Sequence, residues 1–121
     1  MTDYKTEYKE FLEAYESGTI DGEGAGKMIA ILAQYFSMSN TEYGISLKAF
    51  NKVARTIEEG TDEVSNKPIS SSKAKVIAAA TPENDALITT KINIENLEQM
   101  INATKSLQRG IGNEYSHMGN A

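Results

Sequence analysis

The chain has 121 residues, which is enough for one domain and too few for two. Its formal net charge of −5 disfavours a strong, nonspecific nucleic-acid binder, whose affinity comes from a basic surface. The absence of cysteine excludes disulfides and cysteine–zinc sites, and a charged N-terminus without a long apolar run predicts a cytoplasmic protein with no signal peptide and no membrane contact.

The first predicted element is a short amphipathic helix. In DYKTEYKEFLEAYES the apolar side chains recur at helical spacing, with Glu and Lys on the other face, and Ser17-Gly18 ends the pattern. These apolar residues are Tyr4, Tyr8, Phe11, Leu12 and Tyr15. A second helix is expected to begin near Asp21 or Gly22, with Asp21 as its N-cap.

The glycine-rich stretch GEGAGK at the start of the second helix raises the question of a phosphate-binding loop. That motif needs glycine where Asp21 stands, and it needs a serine or threonine where Met28 stands, so that a hydroxyl can hold magnesium. It also needs a preceding strand, whereas the preceding segment is predicted to be helix and turn. We interpret the stretch as the beginning of a helix that does not bind a nucleotide.

A series of apolar residues at intervals of seven predicts one continuous helix over about 23–59. The series consists of Ile29, Phe36, Tyr43, Phe50 and Ile57. The segment SMSN supports a competing interpretation, two helices hinged at Ser39-Asn40, because Ser39 and Glu42 would form a capping box. The unbroken phase of the series favours the single helix.

Two further helices are predicted after a polar linker (60–69). The first is capped by Ser70 or Ser71 and ends before Pro82, because proline disfavours helix in the residue that precedes it. The second runs from Pro82 to about Gly110. Its segment LITTKINI has the β-branched alternation of a strand, but no partner strand is visible that would satisfy its backbone, and we predict helix.

The fold class predicted from these elements is all-α, a helical hairpin or bundle with two long helices and two short ones. Residues 1–112 are expected to form a single helical domain, followed by a flexible C-terminal tail (113–121). The long heptad-like stripes are typical of coiled coils and leave surplus apolar surface, so we expect a homo-oligomer.

No catalytic or metal-binding constellation is visible in the sequence. The only histidine, His117, lies in the tail without a second histidine or a cysteine, and we interpret it as a solvated or interface residue. The paired carboxylates lack the Glu-x-x-His spacing of di-iron bundles and are typical of a solvated, charged face. We therefore predict a protein that is not an enzyme and has no cofactor and no metal.

Basic side chains form two groupings on the predicted long helices. Lys48, Lys52 and Arg55 lie at i, i+4 and i+7 on one face of the first long helix. Lys105 and Arg109 lie at i and i+4 on the second. Such a face can hold phosphates along a single strand, and it can equally be an ordinary exposed helix face.

The elements over 26–111 follow one another in a particular order. A long helix ends in a basic stretch, LKAFNKVARTIEE, and an acidic, glycine-bounded linker follows, GTDEVSNK. Then come SSSKAKVIAAATPENDAL and a long final helix that ends in INATKSLQRGI. In architecture and at scattered positions, this order resembles the UvsY-type recombination mediators of tailed phages. The resemblance implies a small α-helical protein that oligomerises through C-terminal helices, binds single-stranded DNA and helps to load a recombinase.

Carried over to this chain, the resemblance implies a protein of the host cytoplasm whose partners are single-stranded DNA and a recombinase. Lys52 and Arg55 match the strand-binding basic stretch. The full candidate set for nucleic-acid binding is Lys48, Lys52, Arg55, Lys73 and Lys75. The candidate oligomerisation residues, on the final helix, are Ile94, Leu97, Ile101 and Ile111.

The acidic charge supports a second hypothesis, a small phage-type or bacterial adaptor or inhibitor with no nucleic-acid role. Such a protein would act through contacts of its helix faces with another protein, or by sequestering a small ligand in a pocket between subunits. The distribution of charge discriminates the two hypotheses, because an acidic surface fits the adaptor and a continuous basic groove fits the mediator.

Overall fold

The computed structural model describes the backbone of residues 3–119 and the side chains of residues 3–113. Its elements are four α-helices: α1 (Tyr4–Glu16), α2 (Gly22–Glu58), α3 (Ser71–Ala79) and α4 (Pro82–Gly119). Within these described residues there is no strand, only an isolated antiparallel bridge between Thr61 and Pro68. The all-α prediction, with two long and two short helices, is confirmed. The bundle arrangement and the homo-oligomer stay predictions.

Helix α2 continues through the SMSN segment without a break, so the prediction of a single helix is confirmed. Ser39, the alternative hinge, is buried within the helix. The series of apolar residues at intervals of seven is half-buried along the whole length of α2. Packing of this side therefore outweighs the cost of about 1 kcal/mol that Gly44 imposes on a helix interior.

Helices α2, α3 and α4 each begin at a side chain that acts as an N-cap. Asp21 accepts a hydrogen bond from the backbone amide three residues later (2.8 Å) at the start of α2, and Thr81 does the same (3.2 Å) at the start of α4. At α3 the sequence allowed two candidates, and the structure assigns the cap to Ser70, whose Oγ accepts from the amide three residues later at 3.2 Å.

Replacing Ser70 with alanine is expected to lower the free energy of unfolding by about 1 kcal/mol, because a backbone amide of the first turn loses its acceptor. Ser71→Ala is the matched control, since Ser71 is the exposed first residue of α3, and its effect should stay below about 0.5 kcal/mol. Urea unfolding followed by circular dichroism measures both variants. An equal loss in the two would contradict the assignment of the cap.

Helix α4 extends further than the sequence predicts, since it continues as helix beyond both Gly110 and Gly112. The reason is Ile111, which lies between these glycines and is buried in the apolar core. Burying such a side chain stabilises by about 1.5–3 kcal/mol, which is of the same order as the penalty of about 1 kcal/mol for each glycine. The flexibility of the tail (113–121) stays a prediction.

The chain divides into two compact units, and unit 1 (1–38 and 95–121) is built from both ends of the sequence. It contains α1, the first part of α2 and the last part of α4. Leu32 and Leu97 are fully buried in its core. The other buried members of this core are Tyr4, Phe11, Ala25, Met28 and Ile111.

Two polar side chains complete the packing of unit 1. The fully buried Thr104 donates its hydroxyl to the carbonyl oxygen of Met100 at 2.7 Å, within α4. The side-chain amide of Gln108 donates to the carbonyl oxygen of Gly22 at 3.1 Å, which joins α4 to the start of α2. A Cβ at Gly26 would lie 3.2 Å from that amide nitrogen, so glycine at this position permits the close approach.

Unit 2 (39–94) is one contiguous segment that contains the rest of α2, the linker, α3 and the first part of α4. Its buried apolar side chains are Leu87 and two alanines of α3, Ala74 and Ala78. The alanines are four residues apart and share one face of α3, and they line a groove together with side chains of α2.

The polar linker between α2 and α3 has a defined backbone. The amide of Asp62 donates to the carbonyl oxygen of Lys67 at 2.8 Å. The amide of Asn66 donates to the carbonyl oxygen of Asp62, also at 2.8 Å. Asn66 has a φ of 55°, a left-handed conformation that asparagine adopts more readily than most residues. Val64 is 91% exposed at this turn.

Candidate nucleic-acid interface

Formal charge is distributed unevenly between the two units. Unit 1 contains ten acidic and five basic residues, a net charge of −5, and unit 2 contains seven of each, a net charge of zero. The net charge differs less between the two halves of the sequence than between the two units, since it is −4 for residues 1–60 and −1 for residues 61–121. The acidic character of the chain is therefore a property of unit 1, and electrostatics favours unit 2 as the place for a phosphate-binding surface.

Three of the five nucleic-acid candidates lie on the part of α2 that belongs to unit 2, and we call Lys48, Lys52 and Arg55 the α2 basic row. Because successive residues of an α-helix are 100° apart, the row lies on one side of α2 within about 60° and spans about 10 Å along the axis. All three side chains are exposed. Neither of the ion pairs found among the described residues involves the row. These charges are available to a ligand.

Lys73, the fourth candidate, is engaged within the chain. Its Nζ donates to Oδ2 of Asp62 at 2.8 Å, while Oδ1 of Asp62 accepts from the amide of Val64 at 2.9 Å. The hydrogen bond from Lys73, followed by the one from Val64, holds the pKa of Asp62 below its ordinary value of 3.8. Lys73 therefore fixes the linker to α3, and its charge is already compensated.

Asp62→Asn is expected to make stability less sensitive to acid. Because the pKa of Asp62 is lowered in the folded chain, its ionised form stabilises the fold above about pH 4, and this contribution is lost as the pH falls through the lowered value. The melting temperature of the wild type should exceed that of the variant at about pH 6, and the difference should be smaller at about pH 3.

Thermal unfolding followed by circular dichroism at the two pH values measures this difference. Glu63→Gln is the matched control, because Glu63 is the neighbouring exposed carboxylate and takes part in neither ion pair found among the described residues. A difference between wild type and Asp62→Asn that is the same at both pH values would contradict the stabilising role of the ion pair.

Lys75, the fifth candidate, is exposed and lines a groove of unit 2 with a volume of about 340 Å³. Helix α2 contributes Asn51 and Glu58 to this groove, and Asn84 at the start of α4 also lines it. The carboxylate of Glu58 places a negative charge where a phosphate would have to bind. The groove is therefore less suited to a nucleic-acid strand than the α2 basic row.

The candidate oligomerisation residues of α4 are largely used inside the chain. Leu97 and Ile111 are buried in the core of unit 1, and Ile101 packs against that core half-buried. Ile94 is half-buried in unit 2. A seven-residue apolar spacing arises from intrachain packing and from association alike. Oligomerisation through these residues stays a prediction.

Sequence reasoning missed a set of exposed apolar side chains in unit 2. Ile88 and Ile92 lie four residues apart on α4 and are 47% and 49% exposed. Ile45 of α2 is 65% exposed and lines an open groove of about 350 Å³ with Ala86 and Thr89 of α4. The available signal was helical phase, because Ile88 and Ile92 fall outside the seven-residue spacing of Leu87, Ile94 and Ile101 on α4.

Comparison with protein-family models, with curated proteins and with solved structures finds no match. The resemblance to UvsY-type mediators therefore stays a prediction. Among the side chains of residues 3–113, no three His, Cys, Asp or Glu residues cluster in a way that could hold a metal ion. No helix within residues 3–119 combines the length and the apolar character needed to cross a membrane. The side chain of His117 lies outside the described residues.

Proposed function

We propose that the protein is a non-enzymatic helical protein that binds single-stranded DNA, with the α2 basic row as its phosphate-binding surface. The observation that supports this proposal is the joint exposure of Lys48, Lys52 and Arg55 on a unit of zero net charge, with no described ion pair to compensate them. On the resemblance to UvsY-type mediators, we further propose that it works as a homo-oligomer in the host cytoplasm and assists recombinase loading.

The geometry of the α2 basic row predicts a particular kind of binding. A row about 10 Å long presents its charges to successive phosphates of one strand. Tyr43 and Phe50, the aromatic residues in the same part of α2, are half-buried, so this helix has no fully exposed ring on which a base could stack. Binding should therefore be electrostatic, tolerant of base sequence and weakened steeply by salt.

Fluorescence anisotropy with a labelled single-stranded oligonucleotide tests this proposal. We expect saturable binding at low salt, and a logarithm of affinity that falls linearly with the logarithm of salt concentration between about 50 and 200 mM. Two oligonucleotides of different base composition should bind alike. An absence of binding at low salt would rule out the nucleic-acid role.

A protein-binding adaptor or inhibitor is the second candidate, and the exposed apolar side chains of unit 2 favour it. Val76 and Ile77 on α3, like Ile88 and Ile92 on α4, offer apolar contacts that a partner protein would bury. The groove beside Ile45 is open in the single chain and would need a second subunit to enclose a small ligand.

Light scattering separates these candidates when it is combined with the oligonucleotide titration. The mediator and the intersubunit ligand site both require a homo-oligomer, whereas an adaptor can act as a monomer. A monomer that binds no oligonucleotide would support the adaptor and contradict the other two.

A further inference from the structure

A small pocket lies between α1 and α2 within unit 1. Its volume is about 130 Å³, and Glu7 of α1 faces Ile31, Gln34, Tyr35 and Met38 of α2 across it. The pocket therefore combines one carboxylate with an amide, a phenol and two apolar side chains. None of these residues belongs to the α2 basic row, so the pocket is separate from the surface proposed for nucleic acid.

One oxygen of the Glu7 carboxylate lacks a hydrogen-bond partner. Oε2 is buried, and no donor among the described residues reaches it. The hydroxyl of Tyr35 does bond to this carboxylate, and that hydrogen bond is the main reason why the pKa of Tyr35 is raised. A buried carboxylate oxygen without a donor is costly, because folding removes its water without replacing it.

The surroundings of Glu7 favour a positively charged ligand. Unit 1 carries the whole net charge of −5, and Asp3 adds a second negative charge close enough to act on Tyr35. Neither ion pair found among the described residues uses Glu7. An anion would be repelled here, and a metal ion would find one carboxylate where hard cations require several oxygen ligands.

The walls of the pocket select the kind of cation. Ile31 and Met38 present apolar surface that suits an alkyl stem. Tyr35 also lines the pocket, and its ring, which lies 6.0 Å from the ring of Tyr4, is of the aromatic type that attracts ammonium groups. A primary ammonium also supplies N–H donors for the carboxylate of Glu7.

We propose that this pocket binds a primary ammonium group on a short alkyl chain, with its N–H donating to the carboxylate of Glu7 and its stem lying against Ile31 and Met38. The same chemistry occurs in free alkylamines and in the lysine side chain of a partner protein.

A titration with n-butylammonium, followed by methyl NMR, tests the proposal on the unmodified chain. The methyl groups of Ile31 and Met38 should shift saturably, while that of Ile45 in unit 2 should not move. The neutral analogue n-butanol has the same stem and should give at most a tenth of the affinity, because it brings no charge to Glu7. The absence of saturable shifts, or equal binding of butanol, would overturn the proposal.

Two variants locate the contact. Glu7→Gln should weaken n-butylammonium binding at least tenfold, whereas Glu10→Gln, an exposed carboxylate on the same helix and not part of the pocket, should change it less than twofold. Circular dichroism melts establish that both variants fold. Equal affinities of Glu7→Gln and the wild type would overturn the assignment to Glu7.

The source of the ammonium is decided by two further ligands. Tighter binding of Nα-acetyl-lysine methylamide than of putrescine would support a lysine side chain of a partner protein. The opposite order would support a free polyamine. If neither ligand binds, the proposal is overturned.

Discussion

Replacing Leu97 with alanine is expected to lower the free energy of unfolding by about 2–5 kcal/mol. Leu97 is fully buried in unit 1, in the same core as Leu32 and Ile111. The truncation leaves a cavity that the surrounding helices can close only in part, so the loss exceeds the transfer energy of the removed carbons. Urea unfolding followed by circular dichroism gives the difference. Ile88→Ala, at a half-exposed position of the same helix, is the control and should cost less than about 1 kcal/mol.

The same variant separates the two roles considered for Leu97. If Leu97 acts in the core of the single chain, the loss of stability is independent of protein concentration. If it acts mainly at an interface between copies, the loss depends on concentration, because association follows mass action. A loss that changes markedly on dilution would contradict the core assignment and favour the oligomerisation role.

The second large effect is expected for the triple variant Lys48→Ala, Lys52→Ala, Arg55→Ala, which removes the α2 basic row. Each phosphate contact on a single strand contributes about 0.7 to the slope of the logarithm of affinity against the logarithm of salt. The triple variant should therefore reduce that slope by about 2 and weaken binding at low salt about tenfold or more. Anisotropy titrations over a salt series measure both quantities.

The matched control for this triple variant removes the same number of positive charges from unit 1 instead of unit 2. Lys5, Lys9 and Lys27 are all exposed there, and their joint replacement with alanine also removes three positive charges. Under the proposal, the control lowers affinity only slightly and leaves the salt slope nearly unchanged. If the two triple variants weaken binding equally, net charge rather than the α2 basic row governs the interaction.

The helices were predictable where local chemistry and periodic packing point to the same structure. The apolar series at intervals of seven predicted α2 through a segment with a competing capping signal, because the inward side of the helix is packed throughout. The starts of α2 and α4 were predictable because the caps Asp21 and Thr81 each accept a hydrogen bond from an amide only three residues away.

Features that depend on distant parts of the chain were not predictable. Glycines near the end of α4 indicate a helix end, and only the burial of Ile111 explains why the helix continues. The partner of Lys73 lies eleven residues away across a turn whose shape cannot be derived from composition. The pocket beside Glu7 is formed by side chains of two helices, and the spacing within either helix gives no indication of it.

The division of the chain into a contiguous unit and a discontinuous one has a consequence for synthesis. All of unit 2 leaves the ribosome before the last part of α4, whereas unit 1 combines residues made before unit 2 with residues made after it. The hydrogen bond between Gln108 and Gly22 joins positions 86 residues apart, so it forms only after Gln108 has been made. During translation the aromatic face of α1 is therefore without its core partners Leu97 and Ile111, and these nascent chains are the form in which the protein is most exposed to aggregation.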